Sequence, residues 1–272
     1  MNEFMNFFVI QIILIAVVLS VHTYLGLHII RRGIIFSDLS LDQLAAFGVI
    51  AGVAAGVEGG TTPSYFLSLV AVIIGSILLT YVKPANDRVP REAVIGIIYC
   101  LALVASLLVA DKISGGASYV TQTMSGCMLW VTWPLVWTTV IVYILLSILH
   151  YVFREKIIAI TEGNGTNKNE HVWDLMFFTT QGIITVLIVP IAGILLAYAF
   201  LMIPAAIALL FTRDWGRSIC IGWGIGFVAC IIGLMMSYFL RLPYGPSLVM
   251  SLGAFFVAAL VIRMFLPENR MF

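Results

Sequence analysis

The stretch that decides the fold spans residues 31–48 and reads Arg-Arg-Gly-Ile-Ile-Phe-Ser-Asp-Leu-Ser-Leu-Asp-Gln-Leu-Ala-Ala-Phe-Gly. Two adjacent arginines end one long apolar segment, and Asp38, Asp42 and Gln43 lie inside the next one. An ionisable side chain within a membrane-spanning segment is costly, so it usually faces a bundle interior or a water-filled path. This stretch is therefore the first candidate for a working site.

The composition of the chain is typical of a membrane protein. Of its 272 residues, 62% are hydrophobic and 10% are charged, whereas soluble proteins carry about 25% charged residues. The apolar residues come in long runs, and roughly 20 of them suffice to cross a bilayer as a helix. These features predict an all-α polytopic membrane protein with eight to nine transmembrane helices, forming a single transmembrane domain over residues 1–272.

The apolar segments set the number of crossings. They lie at about 5–30, 34–56, 63–82, 93–110, 133–152, 175–211, 218–240 and 246–265. The segment 175–211 is close to the length of roughly 40 residues that two crossings need. Pro190 is the expected place of a break, because proline interrupts the helical hydrogen-bond ladder.

The basic residues predict the orientation, because cytoplasmic loops are enriched in lysine and arginine. With nine crossings and an outside N-terminus, every lysine and arginine except Lys112 and Arg241 is cytoplasmic. We therefore expect the N-terminus outside and the C-terminus in the cytoplasm.

The two carboxylates suggest a cation site. Asp38 and Asp42 are four residues apart, so they share one face of a helix. Hard oxygen ligands of this kind suit Mg, Mn or ferrous ions better than they select zinc. The alternative for Asp38 is a cap at the start of the helix, and the alternative for Gln43 is a hydrogen bond between helices.

The histidines offer one further candidate ligand. His22 lies deep in the first segment and could complete the site from a neighbouring helix, since histidine is a common metal ligand. The alternative for His22 is a hydrogen-bonded packing role. His150 and His171 are expected to be solvated at the cytoplasmic ends of their helices.

No catalytic motif occurs in the chain. The sequence contains no GxxxxGK[ST] loop to cradle nucleotide phosphates and no HExxH, GxSxG or CxxC pattern. The chain is therefore expected not to be an enzyme, and any energy that its activity needs must come from a partner or an ion gradient.

Several pieces of the sequence resemble one known family, the permease subunits of ATP-binding-cassette (ABC) importers for zinc, manganese and iron ions. The similar pieces are Gly26 with 31–38, 91–97, 125–130, Trp173-Asp174, 192–196, 201–208, 233–238 and 243–245. These pieces occur in the same order as in the family, along nearly the whole chain.

The resemblance implies a transport system in the bacterial plasma (inner) membrane. Its expected partners are a second permease chain, forming a homodimer with the pathway at its interface, a cytoplasmic ATPase that binds ATP, and an external metal-binding protein. The divalent metal ion would be the substrate, with no permanently bound cofactor and no nucleic-acid partner. There are two alternatives. The chain is an ABC permease for a metal chelate or another small solute, or it is a secondary metal-ion transporter.

The chain departs from this family at one important place. The usual members carry Asp-x-x-x-His at the start of the second helix, where both side chains coordinate the ion. Here Asp38 is followed four residues later by Asp42, with no histidine, which puts the usual zinc or manganese ligand set in doubt.

The cytoplasmic connection 153–173 is the expected contact with the ATPase, by its place after the fifth crossing and its counterpart in the family. Loops longer than about 12–15 residues are often functional. The predicted docking helix contains Glu155, Lys156, Ile157, Ile158 and Ala159. The alternative is an ordinary solvated loop, which the glycine- and asparagine-rich part at 163–169 fits better.

Overall fold

The computed structural model describes residues 2–82, 88–126, 131–163 and 169–266. Within these ranges the chain forms ten α-helices and no strand. The helices are α1 (Asn2–Arg32), α2 (Phe36–Ala54), α3 (Thr62–Tyr81), α4 (Arg91–Ala110), α5 (Gly116–Ser125), α6 (Trp133–Val152), α7 (Arg154–Thr161), α8 (Glu170–Phe211), α9 (Trp215–Leu240) and α10 (Tyr244–Phe265).

Eight of these helices are long and apolar enough to span a membrane, namely all except α5 and α7. They coincide with the eight predicted apolar segments, so the all-α membrane fold is confirmed. The short helix α5 was not predicted. Part of the turn at 125–130 and of the loop at 163–169 lies outside the described residues, as do Lys83, Lys168 and Arg270.

Helix α8 is interrupted at a different residue from the one predicted. It runs through Pro190 without a break, and the non-helical residue is Gly193, with φ 76° and ψ 162°. This backbone region is essentially restricted to glycine. The parts on either side, 170–192 and 194–211, are each of a length that can cross a bilayer. If α8 is counted as one span, the described residues contain eight candidate spans. If its two parts are counted separately, they contain nine.

The interruption at Gly193 is packed against a second glycine. Gly126, which follows α5, has φ 72°. A Cβ added at Gly126 would collide with the backbone of Ala192, and one added at Gly193 would lie 2.7 Å from the carbonyl oxygen of Met124. The two backbones therefore touch at a point where neither residue can carry a side chain.

The chain divides into two compact units. The first unit comprises the described residues among 1–30, 127–148 and 198–272. Within it, Gly26 of α1 faces the carbonyl of Leu201, and Gly222 of α9 faces the backbone of Pro204. Ser251 of α10 donates a hydrogen bond of 2.7 Å to a carbonyl oxygen of α9. Small residues thus allow close helix packing.

The second unit comprises the described residues among 31–126 and 149–197, and α2 is packed on several sides within it. Ser68 of α3 donates to the carbonyl oxygen of Ala45 at 2.9 Å. Ser40 donates to the carbonyl oxygen of Ile95 in α4 at 3.0 Å. Helix α2 is consequently enclosed within this unit although it bears two carboxylates, Asp38 and Asp42.

A buried ion cluster joins the ends of three helices in the second unit. The carboxylate of Asp174, in α8, contacts the guanidinium of Arg32, at the end of α1, and that of Arg91, at the start of α4. Arg32 also lies over the ring of Phe177, at 5.0 Å from its centroid. Asp174 is fully buried, so this carboxylate fixes both arginines at one end of the unit.

We expect Asp174→Asn to lower the free energy of unfolding by about 3–5 kcal/mol, the usual cost of removing one partner from a buried ion pair. Two guanidinium groups would then lack their anion. Chemical denaturation of the detergent-solubilised chain measures the change. Asp111→Asn is the control, since the Asp111 side chain is 75% exposed. Equal stability of the two variants would contradict the structural role of Asp174.

We also expect Gly193→Ala to destabilise the chain, because the backbone conformation alone costs a side chain about 1–3 kcal/mol and the Cβ would meet the 124–126 backbone. The melting temperature of the solubilised chain reports the loss. Gly253→Ala in α10 is the matched control, since nothing lies within 4 Å of a Cβ there. An unchanged melting temperature for Gly193→Ala would contradict the close contact between Gly193 and the backbone of residues 124–126.

Candidate functional site

The start of α2 is stabilised without help from the site residues. Gly33, at φ 62°, ends α1 and allows the chain to turn. No side chain caps α2 at its own N-terminus, and Glu92 of α4 instead accepts a hydrogen bond of 2.7 Å from the backbone N–H of Phe36. The capping alternative for Asp38 is therefore wrong, and its carboxylate is directed elsewhere.

Both carboxylates of α2 are paired with side chains of α8. Gln181 Nε2 donates a hydrogen bond of 2.8 Å to Asp38 Oδ1, and Thr185 Oγ1 donates one of 2.9 Å to Asp42 Oδ1. Each pair is 143 residues apart in sequence, so α2 and α8 run in the same direction here. Two side chains spaced by four on one helix thus meet two spaced by four on the other.

The second oxygen of each carboxylate has no hydrogen-bond partner among the described residues. Asp38 is 3% exposed and Asp42 is 1% exposed. Within the described part of the chain, Asp38 Oδ2, Asp42 Oδ2 and Gln181 Oε1 have no hydrogen-bond partner. A buried polar atom of this kind needs an explanation, and a functional ligand is one. These three atoms are all acceptors, which suits a cation.

Gln43 lies on a different side of α2. Its Nε2 donates a hydrogen bond of 3.0 Å to Ser106 Oγ in α4, and its Oε1 has no partner among the described residues. The predicted hydrogen bond between helices is present. The candidate role of Gln43 in the ion pathway stays a prediction.

His22 belongs to the first unit, where it is buried. Its Nδ1 lies 3.0 Å from the carbonyl oxygen of Val18, and its ring stacks on Tyr143 with 5.9 Å between centroids. These contacts fit the packing alternative, and ligation by His22 stays a prediction. His150 is 5% exposed, and its Nε2 lies 2.8 Å from Thr180 Oγ1, so the prediction that it is solvated is wrong.

The described residues include no group of three or more His, Cys, Asp or Glu side chains that could hold a metal ion. The site instead combines two carboxylates with neutral oxygen donors. Gln181 and Thr185 were missed because 175–211 was treated as a continuous apolar segment. Their spacing of four within that segment is the signal that could have identified them.

The predicted docking segment does form a helix, α7. Glu155 and Lys156 are exposed, Ile157 is buried, and Ile158 and Ala159 are half-buried. Lys156 Nζ lies 4.7 Å from the centroid of the Trp173 ring at the start of α8. Helix α7 is thus anchored by its apolar side while it presents charged side chains to the surroundings.

Curated relatives share most of this length. A "Manganese transport system membrane protein MntC" of Listeria innocua is 26% identical over 233 residues, 81% of each chain. An "Uncharacterized membrane protein slr2045" of Synechocystis is 25% identical over 177 residues, 63% of each chain. The match therefore spans less than two thirds of the length of the Synechocystis protein.

The fold also matches a solved structure, "PsaBC from Streptococcus pneumoniae in complex with Fab", with a TM-score of 0.75 and 21% identity. The match covers 99% of this chain and 97% of that one, and it shows a shared fold. The family model described as "ABC 3 transport family" matches residues 1–263. This multi-pass membrane protein belongs to the ABC 3 transport family.

Proposed function

We propose that the chain is the permease subunit of an ABC importer for divalent transition-metal ions, with manganese the first candidate and zinc and iron the others. Membership of the ABC 3 transport family supports a transport role. The manganese transport named for the Listeria relative supports the substrate class. The proposed location is the plasma membrane of a bacterium.

The observation that carries this proposal is the pair of buried carboxylates inside a membrane-spanning helix. Asp38 and Asp42 each keep one oxygen without a partner among the described residues. A transport site must bind an ion strongly enough to accept it and weakly enough to release it. In this proposal, two carboxylates with neutral oxygen neighbours and no soft ligand would meet both conditions.

The energy for transport is proposed to come from a separate cytoplasmic ATPase. The sequence has no phosphate-binding loop of its own, and α7 offers a charged, exposed surface on a helix anchored to the membrane domain. The proposed assembly contains two copies of this chain around the pathway and an external metal-binding protein. ATP-driven closure of the ATPases would switch the pathway between outward-facing and inward-facing states, so that Asp38 and Asp42 are reached from one side of the membrane at a time.

We expect Asp42→Asn to reduce manganese uptake at low external metal by at least about tenfold. The substitution removes the charge of a direct ligand, and even the loss of an outer-shell partner costs about 10–100-fold in metal affinity. Uptake of radioactive manganese by cells that depend on this system is the measurement. Asp111→Asn, on an exposed loop, is the control.

Unchanged uptake by Asp42→Asn cells would contradict the role of this carboxylate. Uptake that persists when the ATPase is inactivated, and stops when the ion gradient is collapsed, would favour a secondary transporter. Uptake of only a chelated metal would assign the alternative substrate.

We further expect Glu155→Lys to weaken binding of the ATPase by more than about tenfold. In the proposed contact Glu155 faces a basic group of the ATPase, and like charges brought together in an interface cost several kcal/mol. Co-purification of the ATPase with the tagged permease measures the loss. Lys112→Glu reverses a charge on another exposed segment and should leave co-purification unchanged. Equal recovery of the ATPase with both variants would exclude Glu155 from the contact.

A further inference from the structure

The first part of α8 presents two polar side chains to the carboxylates of α2. Gln181 is 1% exposed and Thr185 is 2% exposed, and each donates its hydrogen bond to a carboxylate oxygen rather than to a carbonyl of its own helix. Buried threonines elsewhere in the chain do otherwise. Thr139 of α6, for example, donates to the carbonyl oxygen of Leu135 in the same helix.

The Gln181 amide is used on one side only. Its Nε2 is bound to Asp38, while its Oε1 has no partner in the described part of the chain. A buried free oxygen costs free energy, which a bound cation would offset. Gln43 Oε1 has no partner among the described residues either, but the Gln43 amide contacts a serine, whereas the Gln181 amide contacts a carboxylate. Oε1 belongs to the same amide group as the Nε2 atom that contacts Asp38.

We propose that Gln181 and Thr185 form the second half of the ion site and shift its ratio of affinities from Zn²⁺ toward the harder cation Mn²⁺. The donor set is Asp38 Oδ2, Asp42 Oδ2 and Gln181 Oε1, with Thr185 as a positioning residue that holds Asp42. This inference rests on the proposed function, since it assumes that the two carboxylates contact the ion.

The selectivity follows from the chemistry of the donors. Carboxylate and amide oxygens suit Mn²⁺, whereas Zn²⁺ sites commonly include histidine nitrogen or cysteine sulfur. In the described residues no third His, Cys, Asp or Glu side chain joins Asp38 and Asp42. The third member of the proposed donor set is thus an amide oxygen, whereas zinc sites commonly have a nitrogen or sulfur ligand.

The test is equilibrium binding of Mn²⁺ alone and of Zn²⁺ alone to the full chain in lipid nanodiscs, by titration calorimetry. Gln181→Met and Thr185→Val keep the side-chain volume and remove the polar atoms. We expect each to weaken Mn²⁺ binding by about tenfold or more. Thr185→Ser retains the hydroxyl group and should restore the affinity. Thr139→Val is the matched control and should bind Mn²⁺ as the unsubstituted chain does.

A second variant separates ligation from packing. Gln181→His supplies a nitrogen donor, and we expect it to shift the ratio of Zn²⁺ to Mn²⁺ affinity toward zinc by about tenfold or more. A purely structural role for Gln181 would leave this ratio unchanged, even if the variant bound both ions less well.

The outcomes distinguish this inference from the proposed function. If Asp42→Asn abolishes Mn²⁺ binding while Gln181→Met and Thr185→Val bind it normally, the inference is overturned and the proposed function stands. An unchanged Zn²⁺ to Mn²⁺ ratio in Gln181→His also overturns it. Binding that is the same with and without Asp42→Asn overturns the carboxylate site itself, and with it the basis of both.

Discussion

The buried carboxylate of Asp174 is the constraint on which the second unit depends. It contacts Arg32 and Arg91 at once, and because Asp174 is fully buried, losing these contacts would leave its charge uncompensated. Because the three side chains come from the end of α1 and the starts of α4 and α8, their contact brings these helix ends together. Phe177 and Phe178 complete the enclosure by packing against the guanidinium groups.

The alignment of α2 with α8 follows from that contact. Arg32 is only a short turn before α2, so fixing it beside Asp174 starts α2 and α8 at the same end of the unit. Both helices then rise in the same direction with the same repeat. Asp38 therefore meets Gln181, and one turn further Asp42 meets Thr185. The contact of Arg32 with Asp174, 142 residues apart, thus agrees with the register of the two pairs in the site, each 143 residues apart.

Each carboxylate of the site is hydrogen-bonded through one oxygen and free to bind a cation through the other. One oxygen of each carboxylate is held by a neutral donor, which limits the cost of burial, and the other remains open to a cation. A full set of protein hydrogen bonds would stabilise the carboxylates but leave no oxygen free to bind an ion.

The second unit also contains a helix interruption. The backbones of Gly126 and Gly193 touch there, and the conformation of Gly193 is essentially restricted to glycine.

The sequence by itself determined the fold class, the eight apolar segments and the presence of two carboxylates, Asp38 and Asp42, inside one of them, because hydrophobic length and a charge within an apolar segment are local properties of a chain. Only the tertiary structure decided the partners of those charges. Neither the pairing of Gln181 with Asp38 nor the contact of Asp174 with Arg32 and Arg91 leaves a local pattern, since each joins residues far apart in sequence. The break at Gly193 rather than at Pro190 also depends on a contact between residues far apart in sequence. Pro190 continues within the helix, whereas Gly193 is packed against the backbone of residues 124–126.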